Sequence, residues 1–315
     1  MMGFLWFWLV AIMIVGYVVL DGFDLGVGVL HMFLVRTEAE RKAALASIGP
    51  VWDGNEVWLL VLRGVSLELR NHIDVGVWRS LLDGVFGFSS ALLTIFFGAA
   101  LANVLRGVPI NADGYFFLPL WTNWQPGVAP GILDWYTVIG GLVAFTALTL
   151  HGALWLSLKT SGDLEQRARN VVQPLWLILI SLTVVSLFAT IAVRPASLDN
   201  YFNDPFTFVI PVGVVASLAA LWLWNRKGEP LKAFLASCAY LFFMLAGACW
   251  GLYPVLLPAT TGAANDITLT RALSGPHTLA VGLAWWIFGM TLAIGYVAFV
   301  YSRFKGKADA SAGGH

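Results

Sequence analysis

Long apolar runs separated by short polar segments make up most of this chain. A helix needs about 20 predominantly apolar residues to cross the hydrocarbon core of a bilayer. Seven runs are long enough, at residues 4–34, 84–105, 134–158, 172–193, 206–224, 232–257 and 277–301. The pattern predicts an all-α, polytopic membrane protein with about seven full transmembrane helices. We expect residues 1–307 to form a single integral membrane domain and the small, polar residues 308–315 to form a disordered tail.

One apolar segment is too short to span the membrane. Residues 51–62 (VWDGNEVWLLVL) would cover about 18 Å as a helix, against a core about 30 Å thick. Basic residues flank both of its ends, so it should enter and leave on the same side of the membrane. We therefore predict a short re-entrant or interfacial helix that begins after Ser47–Pro50.

Composition and charge agree with a membrane protein and assign its orientation. The chain is 59% hydrophobic and only 11% charged, whereas soluble domains carry about 25% charged residues. Its net charge is zero, which gives no indication of a nucleic-acid partner. Basic residues concentrate in alternate loops, while each remaining loop holds a single one: Arg106, Arg194 or Arg271. The positive-inside rule then places the N-terminus outside and the C-terminus in the cytoplasm.

Two carboxylates in the first apolar run are the leading functional candidates. Asp21 and Asp24 lie within VVLDGFDLGVGVLH, and each costs about 2.5–3.5 kcal/mol to place at the centre of a spanning helix. Their i,i+3 spacing puts both on one face, and Gly22 and Gly26 allow another helix to approach closely. The helix should therefore face protein instead of lipid. The carboxylates would relay protons or contact a cofactor, or else serve as buried structural groups.

Asp53 and Glu56, in the short segment, repeat the i,i+3 spacing, with Trp58 beside them. Their simplest alternative role is a pair of charges that favours a helix N-terminus through the helix dipole. Spacing alone does not separate that role from a functional one.

The histidines indicate that this chain does not bind haem by itself. A bis-histidine haem needs residues at matching depth on facing helices. His151 lies well inside a span, whereas His31 is near a helix end, His72 and His277 are at boundaries, and His315 is in the tail. We expect His151 to be a hydrogen-bonded packing residue between helices.

Four short sequence motifs, in a fixed order, resemble those of a known family. They are DGFDLGVG (Asp21–Gly28), PVWDGNEVWL (Pro50–Leu59), RGVSLELR (Arg63–Arg70) and NVLRGVPIN (Asn103–Asn111). Two later motifs extend the resemblance towards the C-terminus: GLYPVLLP (Gly251–Pro258) and PHTLAVGLAWW (Pro276–Trp286). Together they resemble subunit II of the cytochrome bd quinol oxidases, and more closely the cyanide-insensitive members.

The resemblance implies a role within a larger complex in the bacterial plasma (inner) membrane. In that family, subunit II has nine transmembrane helices and pairs pseudosymmetrically with subunit I, which holds haems of b and d type and the quinol site. The complex oxidises quinol and reduces dioxygen to water, and takes its protons from the cytoplasm. Subunit II itself carries no redox centre or metal, although in some members it holds a structural quinone. The sequence leaves open whether a small accessory subunit joins the complex.

The resemblance also suggests roles for individual residues. Asp53 matches a carboxylate in a proton path at the subunit interface, and Trp58 matches a tryptophan beside a proposed oxygen route. Asp21, Asp24 and Glu56 would extend the same proton path. The fold expected is two pseudosymmetric helix bundles.

One departure from the family pattern follows Leu60. In the family, further residues complete the second helix and begin the third, but here Arg63 follows almost at once. Loss of that helical hairpin accounts for the short segment and leaves the orientation of the later spans unchanged. Two other functions remain open: a stand-alone proton-coupled secondary transporter, and a purely structural partner whose acidic residues serve only helix packing.

Overall fold

A computed structural model describes residues 2–52, 76–304 and 306–308 of the chain. Its α-helices are α1 (Met2–Leu34), α2 (Glu38–Trp52), α3 (Gly76–Arg106), α4 (Trp135–Lys159), α5 (Gly162–Val193), α6 (Asp199–Asn203), α7 (Val209–Arg226), α8 (Pro230–Leu252), α9 (Leu269–Ala272) and α10 (Pro276–Arg303). Short 3-10 helices cover Pro195–Leu198, Pro205–Phe208 and Ala263–Asn265. Among the described residues, strands are limited to β1 (Val255–Leu257) and β2 (Ile267–Thr268), which pair antiparallel.

The predicted all-α membrane architecture is confirmed. In the described part of the chain, seven helical segments are long and apolar enough to cross a membrane: Met2–Leu34, Ser80–Arg106, Trp135–Lys159, Gly162–Val193, Pro205–Arg226, Pro230–Leu252 and Pro276–Arg303. Each contains most of one predicted apolar run. The chain is therefore a multi-pass membrane protein.

Helix α3 begins at Gly76, ahead of the predicted residue 84, and two further span boundaries differ from the predicted ones for identifiable reasons. The fourth predicted run begins at residue 172, but α5 starts at Gly162, because Asp163 and Glu165 favour a helix N-terminus through the helix dipole. The sixth run was predicted to reach residue 257, but α8 stops at Leu252. Pro254 has no backbone N–H with which to continue the helix, and the chain passes into β1 instead.

The predicted start of the short helix is wrong. Ser47–Pro50 lies inside α2, which begins at Glu38. The signal for the start of α2 is Thr37, the residue before the helix. Its hydroxyl accepts the Glu40 N–H at 3.2 Å, and the Glu40 carboxylate accepts the Thr37 N–H at 3.1 Å. This is a capping box, and it fixes the beginning of α2 at the sharp turn after α1.

The rest of that segment, residues 53–62, lies outside the described residues. The re-entrant helix and the positions of Asp53, Glu56 and Trp58 therefore remain predictions. The same holds for a disordered tail over residues 309–315.

The helices form two groups that share a central seam. In the first, α1, α3 and α4 pack against one another, and in the second α7 packs along α8. Helix α5 lies along α4, while α1 and α4 also contact α8 and so join the groups. The buried core runs through this seam, where the rings of Phe23 and Trp155 stack 4.0 Å apart.

Contacts at each end of the bundle agree with the alternating direction of the spans. At one end Arg167 donates to the carbonyl of Leu34, and Lys159 donates to the carbonyl of Phe304. These contacts gather loops rich in basic residues, and we call this the cytoplasmic end after its predicted side. At the opposite, outer end, Val108 pairs with Ala259 in an isolated β-bridge.

Candidate functional site

The site is built around a fully enclosed stretch of α1. Every residue from Asp21 to His31 is buried, and Asp21 and Asp24 are 1% and 0% exposed. A helix in contact with lipid would expose one face over eleven residues. The prediction that this helix faces protein is therefore confirmed for residues 21–31, whereas its first half exposes apolar side chains such as Val10 and Ile12.

Glycines allow this close packing. A Cβ atom built on Gly26 would lie 2.0 Å from the carbonyl oxygen of Leu148 and 2.8 Å from the backbone nitrogen of Gly152. The two backbones thus meet at van der Waals distance where α1 crosses α4. The close approach encloses the neighbouring carboxylates between helices.

Asp21 lies at the wall of an elongated cavity between the two helix groups. The cavity has a volume of about 1470 Å³ and is lined almost entirely by apolar side chains. Along α4 it extends from Tyr136 to Leu148, a helix length of about 18 Å. It therefore runs from the outer end to about the middle of the bundle, where Asp21 and Gly22 lie.

Several hydroxyl groups lie in the outer part of this cavity. The hydroxyl groups of Tyr136 and Thr190 lie 3.0 Å apart, and the Tyr201 hydroxyl donates to the carbonyl of Gly247 at 3.1 Å. Burial raises the pKa of Tyr201, which lies outside the spans, to about 12, so its phenol stays neutral. The outer part of the cavity thus offers hydroxyl groups, while most of the lining along its length is hydrocarbon.

A second group of polar side chains lies at the cytoplasmic end of the seam between α1 and α3. Nε2 of His31 lies 3.1 Å from one carboxylate oxygen of Asp83, and Nη1 of Arg41 donates to the other. His31 is 4% exposed, and its ring meets the edge of Phe86 at 5.5 Å. Arg41 is more accessible, with 29% of its side chain exposed. The cluster thus leads from the surface into the bundle.

His151 is a packing residue, as predicted. Its Nδ1 lies 2.7 Å from the Ser237 hydroxyl on α8, and its Nε2 lies 3.1 Å from the carbonyl oxygen of Val19 on α1. The ring also stacks on Phe234 with centroids 4.7 Å apart. These contacts join three helices through one buried side chain.

An ion pair fixes the turn between α1 and α2. Arg167 donates to the Glu40 carboxylate at 2.5 Å and to the carbonyl of Leu34 at 2.9 Å. Burial alone would raise the pKa of Glu40, but hydrogen bonds from Arg167 and from the backbone of Arg36 and Thr37 hold that pKa below its ordinary value. Glu40 is therefore ionised at neutral pH and joins α5 to the start of α2.

Sequence reasoning found part of this site. It identified Asp21 and Asp24, whereas Asp53, Glu56 and Trp58 lie outside the described residues. It did not identify the cluster of His31 and Asp83. One available signal was the i,i+7 spacing of Asp24 and His31, which places both on nearly the same face of α1.

Comparisons with known proteins agree with the family resemblance of the sequence motifs. The family described as Cytochrome bd terminal oxidase subunit II matches residues 2–62 and 59–304. The two matched segments meet at residues 59–62, where the sequence predicts the missing hairpin.

Two curated relatives and one solved structure extend the match to nearly full length. Cytochrome bd ubiquinol oxidase subunit 2 of Bacillus subtilis (strain 168) is 31% identical over 317 residues, covering 88% of each chain. Cytochrome bd-I ubiquinol oxidase subunit 2 of Escherichia coli (strain K12) is 27% identical over 363 residues, covering 96% of this chain and 94% of the relative.

The fold is similar to that of a chain in the structure of bd oxidase from Geobacillus thermodenitrificans. The TM-score is 0.67 at 17% identity, with 97% of this chain and 99% of that chain covered. The family match spans both helix groups and includes the two buried carboxylates of α1. The chain therefore belongs to the cytochrome bd terminal oxidase subunit II family.

Proposed function

We propose that this chain is the haem-free subunit II of a cytochrome bd-type quinol oxidase and supplies part of its proton path. Its partner is subunit I, which carries the b and d haems. The complex oxidises quinol and reduces dioxygen to water in the bacterial inner membrane. The N-terminus lies outside and the C-terminus in the cytoplasm, in line with the loop charges. A small accessory subunit remains compatible with this assembly.

The enclosed carboxylates of α1 are the observation that carries this proposal. Asp21 and Asp24 are buried at the depth of a membrane span, where ionisable groups are costly and are functional by default. A carboxyl group can bind and release a proton without moving the backbone. The pair therefore suits a path that takes protons from the cytoplasmic side towards the haem subunit.

Residues outside the described part of the chain complete the proposed path. By resemblance, Asp53 and Glu56 belong to it at the interface with subunit I, and Trp58 lies beside the route by which oxygen reaches the haem. Family membership supports these assignments.

The cavity fits a structural quinone. Its apolar walls over about 18 Å suit an isoprenoid chain, and hydroxyl groups of Tyr136, Thr190 and Tyr201 lie where a polar head group would need hydrogen bonds. A bound quinone supplies redox chemistry. These residues would bind and orient it and keep water from its tail.

Replacing Asp24 by Asn in the purified complex tests the proton path. The amide keeps the size of the side chain and removes its ability to carry a proton. We expect quinol-driven oxygen uptake to fall by roughly tenfold or more, with proton uptake falling in parallel. The reduced-minus-oxidised haem spectrum should stay unchanged.

Asp113→Asn is the matched control, because Asp113 is exposed on the outer loop. It should leave turnover unchanged. Asp21→Asn and Asp53→Asn extend the test along the path. Full oxygen and proton uptake in all of these variants, and in Glu56→Gln, would contradict the proposal and favour a structural role for the acids.

A further inference from the structure

We propose that His31 and Asp83 form the cytoplasmic end of a proton path along the α1–α3 seam, and that the Ser90 hydroxyl connects them to Asp24. This assignment rests on the proposed function, since it names the residues through which protons would reach the α1 carboxylates. It adds three side chains that sequence reasoning did not identify.

The geometry of His31 suits proton transfer through its ring. One ring nitrogen, Nε2, contacts the Asp83 carboxylate at 3.1 Å. The other, Nδ1, is buried and has no hydrogen-bond partner among the described residues. A buried polar atom without a partner is costly, so its retention calls for a reason. An imidazole with one nitrogen on a carboxylate and the other available is arranged to bind a proton on one side and release one on the other.

Asp83 links the histidine to the surface. Its second carboxylate oxygen accepts a hydrogen bond from Arg41, whose side chain is 29% exposed. The guanidinium keeps the carboxylate oriented and cannot itself release a proton at physiological pH. Arg41 is therefore a positioning residue, while Asp83 and His31 carry the proton.

The route from His31 to Asp24 follows a narrow seam with a hydroxyl in its middle. Asp24 and His31 are seven residues apart on α1, about 10 Å along the helix. Gly28 lies between them, and a Cβ atom built on Gly28 would lie 2.1 Å from Oγ of Ser90 on α3. Only glycine leaves room for that hydroxyl, which is fully buried. Ser90 thus places a group able to accept and donate protons between the two titratable residues.

The transfer balances without another reactant. A proton on the Asp83 carboxyl group bonds to Nε2, and the O–H bond to Asp83 breaks. The ring then releases the proton on Nδ1 to the seam, where Ser90 accepts one and releases its own towards the Asp24 carboxylate. Imidazole is the side chain that exchanges protons most readily near neutral pH.

At the same end of the bundle, Glu40 of α2 is paired with Arg167 of α5. On the elements packed around His31, the described charged groups that face it are Asp83 and Arg41.

Replacing His31 by Gln in the complex with subunit I tests the inference. Glutamine can keep a hydrogen bond to Asp83 but cannot relay a proton. We expect oxygen uptake to fall on the order of tenfold at pH 8 and much less at pH 6. Protons are scarcer at high pH, so proton uptake then limits the rate of turnover. The haem spectrum should be unchanged. Ser90→Ala should show the same pH trend with a smaller loss.

Two controls match these variants. Ser89→Ala removes a hydroxyl bonded to the same carbonyl of Phe86, and His277→Gln removes an exposed histidine at the opposite end. Both should keep the wild-type pH profile.

The outcomes separate this inference from the proposed function. If Asp24→Asn slows proton uptake while His31→Gln and Asp83→Asn keep the wild-type profile, the proton path stands and His31 is not on it. A loss that is equal at both pH values would show a structural role and overturn the inference. If His31→Gln does not assemble, wild-type profiles in Asp83→Asn and Ser90→Ala would overturn it.

Discussion

Single buried side chains hold the outer end of the bundle together, and Arg106 is the clearest example. It donates to the Asp134 carboxylate, to the carbonyl of Gly131 at 3.1 Å and to the side chain of Asn103 at 2.6 Å. Asp134 is the N-cap of α4 and also forms a capping box with Thr137. One guanidinium therefore joins the end of α3 to the start of α4 across the loop between them.

Replacing Arg106 by Met should destabilise the complex strongly. The substitution leaves a fully buried carboxylate without its cation, which typically costs about 3–5 kcal/mol. We expect a clear drop in the apparent melting temperature of the purified complex. Lys307→Met is the control, since Lys307 is half exposed in its pair with Glu165 and such pairs contribute about 1 kcal/mol or less. Equal melting temperatures for the two variants would contradict this account.

At the residue scale, the sequence predicts buried groups that interrupt an apolar run and misses those that depend on distant partners. Asp21 and Asp24 stand out because hydrocarbon surrounds them in the sequence. His31 lies at the end of its run, and its partner Asp83 is 52 residues away, just before the next predicted run. No local pattern pairs the two, because the contact depends on how α2 and α3 return to α1.

At the scale of helices, the crossing of α1 and α4 determines how the site is enclosed. Gly26 and Gly152 place the two backbones in direct contact, and backbone atoms cannot move aside as a flexible side chain can. The small-residue spacing predicted close packing for this helix, although it did not identify the partner helix. The partner follows from the fold.

Gly26→Ala should therefore weaken this crossing. The new methyl group would overlap the Leu148 carbonyl oxygen, so the helices must separate, at a cost of about 1–3 kcal/mol. We expect a lower melting temperature and a lower yield of assembled complex. Gly16→Ala is the matched control on the same helix, because nothing lies within 4 Å of its added methyl group. A wild-type melting temperature for Gly26→Ala would show that the contact is less tight than described.

Helix boundaries were predictable where hydropathy alone sets them and not where polar residues decide. The ends of α1 at Leu34 and of α5 at Val193 match their apolar runs. The hydropathy pattern does not predict the first turns of α5 or the start of α2, because both lie in polar sequence. Their N-terminal signals, at Asp163 and Thr37, lie in segments that the hydropathy pattern treats as loops.

At the scale of the whole molecule, the cavity is the feature that no single helix predicts. Its walls come from both helix groups and from α5, so it exists only once these have packed together. Most of the lining residues read as ordinary apolar positions of membrane helices. The sequence resemblance suggested a quinone, and the packing supplies a space for one.

Filling the cavity should exclude the proposed quinone. Ala248→Phe adds a ring to the cavity wall at a half-buried position. We expect less quinone to be extracted from the purified complex, with the haem spectrum retained. Val281→Phe, on an exposed face of α10, is the control for added aromatic bulk and should leave the quinone content unchanged. An unchanged content in Ala248→Phe would place the quinone elsewhere.

The sparse packing of α10 has a consequence for how unassembled copies of this protein are degraded. Val300 is its one buried residue, and its contacts with the described part of the chain include a hydrogen bond from Trp6 to the Leu279 carbonyl. Just after the helix, Lys307 pairs with Glu165. A helix held by so few contacts is the natural starting point for extraction by membrane proteases. Turnover of surplus, unassembled copies would begin there.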